Sequence, residues 1–205
     1  MHIQRMNRLL PALCAMIWAT ASAQQPSHPR KPDPTQDARH AAELRARVAK
    51  GDGDAALRLG NLVELKRAPA GYGTALEWYR RGCELLDLSA CHNVGLAHQE
   101  GRHGLKPDLA EAARFYEQSA ERGFLNSMYN LAILYADSGL IATDPREGLR
   151  WMLVAQRAAA QCPERRLCQE VTADPRGYRV RLEQKLSSRE RRDTYERAMA
   201  WQPKN

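Results

Sequence analysis

The sequence lacks the short signatures that announce most hydrolases and nucleotide-binding enzymes. It has no Gly-x-Ser-x-Gly turn, no glycine-rich phosphate loop and no His-Glu-x-x-His metal motif. It has no Cys-x-x-Cys pair or Cys/His set, so a zinc site has no ligands to start from. His92, His98 and His103 do not supply one. Positions 92 and 98 are six apart, which puts them on different faces of a helix turning about 100° per residue. Surface or turn positions are expected for all three. Acidic pairs occur on every predicted helix, at spacings that serve solvation rather than acid–base chemistry. The main apolar run, residues 9–19, is too short to span a bilayer. These absences leave no candidate catalytic residue, cofactor or metal.

What is present is a repeat. Leu59-Gly60, Val94-Gly95 and Leu131-Ala132 stand 35 and 37 residues apart. Trp78, Phe115 and Trp151 stand 37 and 36 apart, each preceded at minus three by a small residue: Ala75, Ala112 or Gly148. Two independent columns thus give one period. A period in the mid-thirties with two helices per unit marks a helical solenoid, whose hairpins bury their apolar faces only by stacking. Thr74-x-x-Glu77, Asp108-x-x-Glu111 and Asp144-x-x-Glu147 read as helix starts, each with a cap residue and a glutamate able to reach back to it. Pro145 fits the first helical position. The glycines at 60 and 95 weaken their helices, by about 1 kcal/mol each relative to alanine. Close approach of a neighbouring helix is the expected compensation.

These residues resemble Sel1-like repeats, relatives of the tetratricopeptide repeat. The middle unit supplies Ala90, Asn93, Val94, Gly95, Gly101, Gly104, Asp108, Ala112, Phe115, Tyr116, Ala120 and Gly123. The third supplies Asn130, Leu131, Ala132, Tyr135, Gly139, Asp144 and Trp151. The first departs most, with Arg58 where asparagine is expected and a turn at 66–73 that lacks the family's usual glycine pair, its glycines being Gly71 and Gly73. The resemblance covers about residues 51–161, in units of about 51–86, 87–123 and 124–161. It implies an all-α fold: a right-handed α-solenoid with N- and C-terminal capping helices.

The ends read differently. Residues 1–23 form a secretory signal, with Arg5 and Arg8, an apolar core, and Ala21-Ser22-Ala23 as the cleavage site. Cys14 follows a bulky Leu13, which argues against lipid attachment there. The expected location is therefore the periplasm or outside the cell, with no transmembrane segment in the mature chain. Residues 24–36 carry Pro26, Pro29, Pro32 and Pro34 and read as a flexible leader. Asp37 is expected to cap a helix over about 38–49, with Leu44 and Val48 on one face. The segment 51–54 breaks it and caps the next helix. After the third unit, Cys162-Pro163 ends a helix, Asp174-Pro175 starts another, and Ser187-x-x-Glu190 caps the last. Tyr195, Met199 and Trp201 are expected to cover the end of the stack.

The formal charge is +7, or +5 without Arg5 and Arg8. From Pro163 onward eleven Lys/Arg face seven Asp/Glu, so most of the excess is C-terminal. No aromatic or groove-reading element accompanies it, which argues against nucleic acid. Solvated helix faces, or attraction to an acidic surface, account for it.

Four cysteines remain after the signal: Cys83, Cys91, Cys162 and Cys168. An even number in an exported chain reads as two disulfides, with three pairings available. A short loop between antiparallel helices brings Cys83 and Cys91 together. The Cys-x7-Cys spacing is also similar to the cysteine-rich secreted branch of the family, which staples one unit to the next. Cys83–Cys91 and Cys162–Cys168 are the pairs expected.

The resemblance implies an interaction module that binds another protein or peptide along the concave surface of its first helices. Arg58, Asn93 and Asn130 hold one column there, and Asn61 lies one turn on; these are the candidate partner-binding residues. The asparagines could equally bond the neighbouring hairpin. Small secreted relatives include immunity proteins that neutralise a toxin delivered to the periplasm. Others are linked to penicillin binding and weak β-lactam hydrolysis, which needs a nucleophile beside a base. None can be assembled from this sequence.

Overall fold

The computed structural model describes residues 33–136, 144–174 and 176–204. The stretch read as a secretory signal, the part of the expected leader up to residue 32, and Gly139 lie outside them. The described residues form ten α-helices and no strand.

The first is α1, Pro34–Val48. Asp33 caps it, its side chain accepting from the backbone N–H of Thr35 at 2.9 Å and of Gln36 at 3.4 Å. Pro34 takes the first helical position, where an N–H is not needed. The helix therefore starts before the predicted 38, inside the stretch assigned to the leader. Proline density excludes a helix only where a proline falls past the first turn. Asp37 is not the cap. It is buried and takes two bonds from the Arg67 guanidinium, at 2.9 and 2.6 Å, tying α1 to the turn after the next helix. The Arg67 hydrogen bonds hold its carboxyl below the ordinary value, against the opposing effect of burial. Ala41, Leu44 and Val48 are the apolar residues that α1 buries against the stack.

Three antiparallel hairpins follow: α2 (Gly53–Glu64) with α3 (Ala75–Glu84), α4 (Leu88–Glu100) with α5 (Leu109–Ala120), and α6 (Leu125–Ala136) with α7 (Pro145–Ala159). Asp52 caps α2, and Gly51 turns the chain there with φ +89°. Gly60 and Gly95 show why glycine stands inside a helix. A Cβ on Gly60 would lie 2.5 Å from Tyr79 Cε1, and one on Gly95 would lie 2.7 Å from two ring carbons of Tyr116. The tyrosine ring thus lies directly on the backbone of its partner helix. In the third unit Ala132 and Met152 hold these positions, both fully buried. The deepest aromatic column of the first two units is therefore Tyr79 and Tyr116, one residue beyond the predicted Trp78 and Phe115. Those two are only partly buried, whereas Trp151 is fully so.

The caps split into two kinds. Thr74 with Glu77, and Ser187 with Glu190, form reciprocal capping boxes. Asp108 and Asp144 cap α5 and α7 alone. Their glutamates turn outward instead, Glu111 to Arg114 and Glu147 to Arg150 and Arg197.

The C-terminal cap is built from α8 (Arg166–Ala173), α9 (Tyr178–Gln184) and α10 (Ser188–Ala200), all packed on α7. The segment read as a disulfide loop contains α8, and Cys168 is buried within it. The helix expected to start at Asp174-Pro175 begins at Tyr178 instead, and Asp174 has another part in it. Asp174 ends α8 in the left-handed conformation, and its carboxylate accepts from the N–H of Tyr178 and Arg179, starting α9 four residues on. Gly148 stands where the other units carry alanine because a Cβ there would lie 2.7 Å from Tyr135 Cβ and 2.8 Å from a methyl of Leu182 of α9. Thr194 and Ala198 are the residues α10 buries, while Met199 is 52% exposed.

Candidate functional site

The four residues predicted to face a partner lie on first helices, but most have partners already. Arg58 is exposed on α2, with its Nε 2.8 Å from Asp54 one turn earlier. Asn61 Oδ1 lies 2.9 Å from the Tyr79 hydroxyl, and Glu64 Oε2 lies 2.6 Å from it. One phenolic proton is thus held between two acceptors. Burial first, then Glu64, raise the Tyr79 hydroxyl above the ordinary phenol value. Glu64 is also paired with Arg102. His103, in the turn after α4, meets the Tyr79 ring edge-on at 6.2 Å.

The second unit repeats this arrangement with different atoms. The Tyr116 hydroxyl donates to Gln99 Oε1 at 2.8 Å, and Asn130 of the following unit bonds the same hydroxyl. Burial pushes this phenol up to about 12. Asn130 therefore joins one hairpin to the next. Asn93 is half-buried and its side chain makes no hydrogen bond among the described residues. So Arg58 and Asn93 remain as the members of the column not bonded to a neighbouring helix. Glu64 and Gln99 escaped the sequence reading. Their signal was the tyrosine after Trp78 and Phe115, whose hydroxyl needs an acceptor once its ring is buried.

Two of the three histidines are not surface residues. His92 is wedged between Tyr116 and Phe124, at ring distances of 5.2 and 5.5 Å, with Nδ1 3.0 Å from Ser127 Oγ. Desolvation pushes its imidazole down to about 4. His98 is buried and stacked on Phe115 at 5.6 Å. The periodicity that aligned position 92 with a helix face does not reveal that the next unit covers it.

The four cysteines among the described residues are all in disulfides. Cys83 pairs with Cys91 at a Cα separation of 4.5 Å, joining α3 to α4, and Cys162 pairs with Cys168 at 5.9 Å. None of these four is free to act as a nucleophile.

The second helices form a different surface. Between α3 and α5 lies an open cleft of about 380 Å³, with Arg80, Cys83 and Glu84 on one wall and Glu111, Arg114 and Phe115 on the other. Arg114 bridges Glu111 at 2.7 Å and lies over the Phe115 ring at 4.7 Å. The Arg114 hydrogen bonds hold the Glu111 carboxyl below its ordinary value. No helix among the described residues is long and apolar enough to cross a membrane.

A family model described as Sel1 repeat matches residues 53–85, 88–124 and 125–161, together more than half of the chain. Among curated proteins, cytochrome c oxidase assembly factor 7 of Danio rerio is 38% identical over 66 residues, 30% of this chain and 29% of that protein. Its Xenopus tropicalis counterpart is 35% identical over 74 residues, 36% of this chain and 30% of that protein. The match thus spans less than a third of the length of either relative. Among solved structures, a protective antigen of uropathogenic Escherichia coli with an SLR fold superposes with a TM-score of 0.59 at 20% identity, covering 78% of this chain and 32% of that one. A Sel1 repeat protein from Oxalobacter formigenes superposes with a TM-score of 0.53 at 23% identity, covering 78% of this chain and 62% of that one. At these identities the likeness concerns the fold.

Proposed function

The chain belongs to the Sel1 repeat family, an interaction fold, and on that premise we propose that it is an exported adaptor that holds another protein along its first helices. The observation that carries this reading is the column of equivalent positions on α2, α4 and α6. Two of its members, Arg58 and Asn93, have no bond to a neighbouring helix. Side chains of this kind hydrogen-bond an extended backbone or a polar protein surface. The two disulfides support an oxidising compartment, the periplasm or the exterior, since such bonds are rare where thiols are kept reduced. They also stiffen the stack, which lowers the ordering cost of binding. The partner is another protein or peptide; a toxin delivered to that compartment is the alternative that immunity proteins among small secreted relatives suggest.

The test is comparative capture. The tagged mature chain and its Arg58→Ala/Asn93→Ala variant are incubated with periplasmic extract, and bound proteins are identified by mass spectrometry. A protein held by the wild type and lost from the variant, with helical content and melting temperature unchanged, is the expected result. Identical captured sets would defeat the assignment to these residues. Asn130→Ala serves as a contrast. It should lower stability, because Asn130 bonds Tyr116.

A further inference from the structure

The groove between second helices occurs twice, once open and once filled by the chain's own C-terminal tail. In the filled copy, between α5 and α7, α10 runs along α7 and Arg197 bridges Glu147 at 2.7 Å. The chain then leaves the helix in an extended conformation at Trp201. The Trp201 ring meets Trp151 edge-on at 6.0 Å, and Arg157 donates to the carbonyls of Met199 and Trp201 at 2.7 and 2.6 Å. Three residues later, Lys204 donates its backbone N–H to the Glu121 carbonyl at 2.7 Å and pairs its ammonium with the Glu121 carboxylate, also at 2.7 Å. The Lys204 charge also lowers the neighbouring Glu117 carboxyl, though burial and Glu121 keep that group above its ordinary value.

The open copy, between α3 and α5, carries the same framework one unit earlier. Glu111, Arg114 and Phe115 repeat Glu147, Arg150 and Trp151 at an offset of 36 residues. In both sets the arginine bridges the glutamate at 2.7 Å and lies over the aromatic ring, at 4.7 Å in one and 4.1 Å in the other. On the opposite wall, Glu84 repeats Glu121 at an offset of 37. One position reverses sign: Arg80 stands where the filled groove has Glu117. Glu84 is already paired with Arg81 at 2.9 Å, whereas Arg80 has no ion-pair or hydrogen-bond partner among the described residues. The uncompensated charge at this end of the open groove is therefore positive.

We propose that the α3–α5 groove is a docking site for an extended segment of a partner protein that carries an aromatic residue and, three positions on, a carboxylate. The aromatic side chain seats on Phe115 as Trp201 seats on Trp151. The carboxylate meets Arg80 at the end of the groove where, in the filled copy, the tail pairs Lys204 with Glu121 beside Glu117. The reversal at Arg80 also explains selectivity, because it repels the lysine of the chain's own tail and so disfavours capture of that tail from a second copy. This site uses second helices and stands separately from the first-helix column.

The probes are two peptides with the sequence of residues 197–204, one unaltered and one with Lys204→Glu. Each is titrated by calorimetry into the full mature chain, its Arg80→Glu and Arg80→Gln variants, and its Glu121→Lys variant. The wild type should bind the glutamate peptide about tenfold more tightly than the lysine peptide, the effect of one charge-assisted bond against one repulsion. Arg80→Gln should abolish that preference and Arg80→Glu should reverse it, while Glu121→Lys leaves it unchanged. Arg80 is exposed, so unaltered melting temperatures should accompany both of its variants. The proposal is overturned if neither peptide binds at millimolar concentration, or if the preference is indifferent to residue 80. It is equally overturned if Glu121→Lys rather than Arg80→Glu controls binding, because the peptide would then be displacing the tail from the filled groove.

Discussion

His92 should make this protein lose stability in mild acid, and a single substitution should remove much of that loss. In the folded chain the imidazole is enclosed by Tyr116, Phe124 and Ser127, and desolvation lowers it from 6.5 to about 4. In the unfolded chain it titrates at its ordinary value. Between these values the unfolded state binds more protons, so stability rises with pH across the interval. The contribution is fully present above about pH 6.5 and drains as the pH falls through the folded value near 4. Each tenfold difference in proton affinity corresponds to about 1.4 kcal/mol. At about pH 4.5 the unfolded ring is almost fully protonated and the folded ring mostly neutral, which gives a difference of about 2.5 kcal/mol. Partial exposure of the ring to solvent reduces this to about 2 kcal/mol. Carboxylates paired in the fold also protonate on the way down, so the measurement must be a difference of differences. Urea denaturation at about pH 7.5 and about pH 4.5 is run on the wild type and on His92→Asn, which keeps a polar group near Ser127 but does not titrate. The wild type should lose about 2 kcal/mol more than the variant over that interval. Equal losses would refute the account and would mean that the ring is either solvated or already charged in the folded state.

Gly95→Ala should lower stability by about 1 kcal/mol in the same assay, because overpacking against the Tyr116 ring outweighs the helix-propensity gain; a more stable variant would show that the ring can move aside. Reducing both disulfides should cost about 2 kcal/mol for each closed loop, the separations being eight and six residues, and melting under reductant would show it. An unchanged melting temperature would mean that the stack supplies the same constraint without them. Removing residues 201–205 should uncover Trp151, shift tryptophan emission to the red and lower the melting temperature, since the Trp201 ring and its carbonyl, one of the two acceptors of Arg157, are lost. Emission identical to that of the full chain would show that the tail does not seal the groove.

The repeat, the helix starts, the glycine column and the disulfide pairs are legible in the sequence because each depends on spacing along one chain. A period of 35–37 residues fixes where equivalent positions recur. A cap residue fixes where a helix begins, unless a proline at the first position shifts the start, as Pro34 does after Asp33. A short loop between antiparallel helices fixes that Cys83 reaches Cys91. What spacing along the chain does not fix is the partner of a polar side chain, because that depends on which surfaces meet. Asn61 and Asn130 look like a binding column until Tyr79 and Tyr116 are seen to hold them. Asp37 looks like a cap until Arg67 is found thirty residues on. The tail beyond Trp201 appears as a few polar residues, and only the packing of α10 on α7 brings Lys204 to Glu121. Local order followed from propensity and period. The assignment of each charge and each hydroxyl followed from burial, which forces a polar group to find an acceptor or donor wherever the fold has placed one.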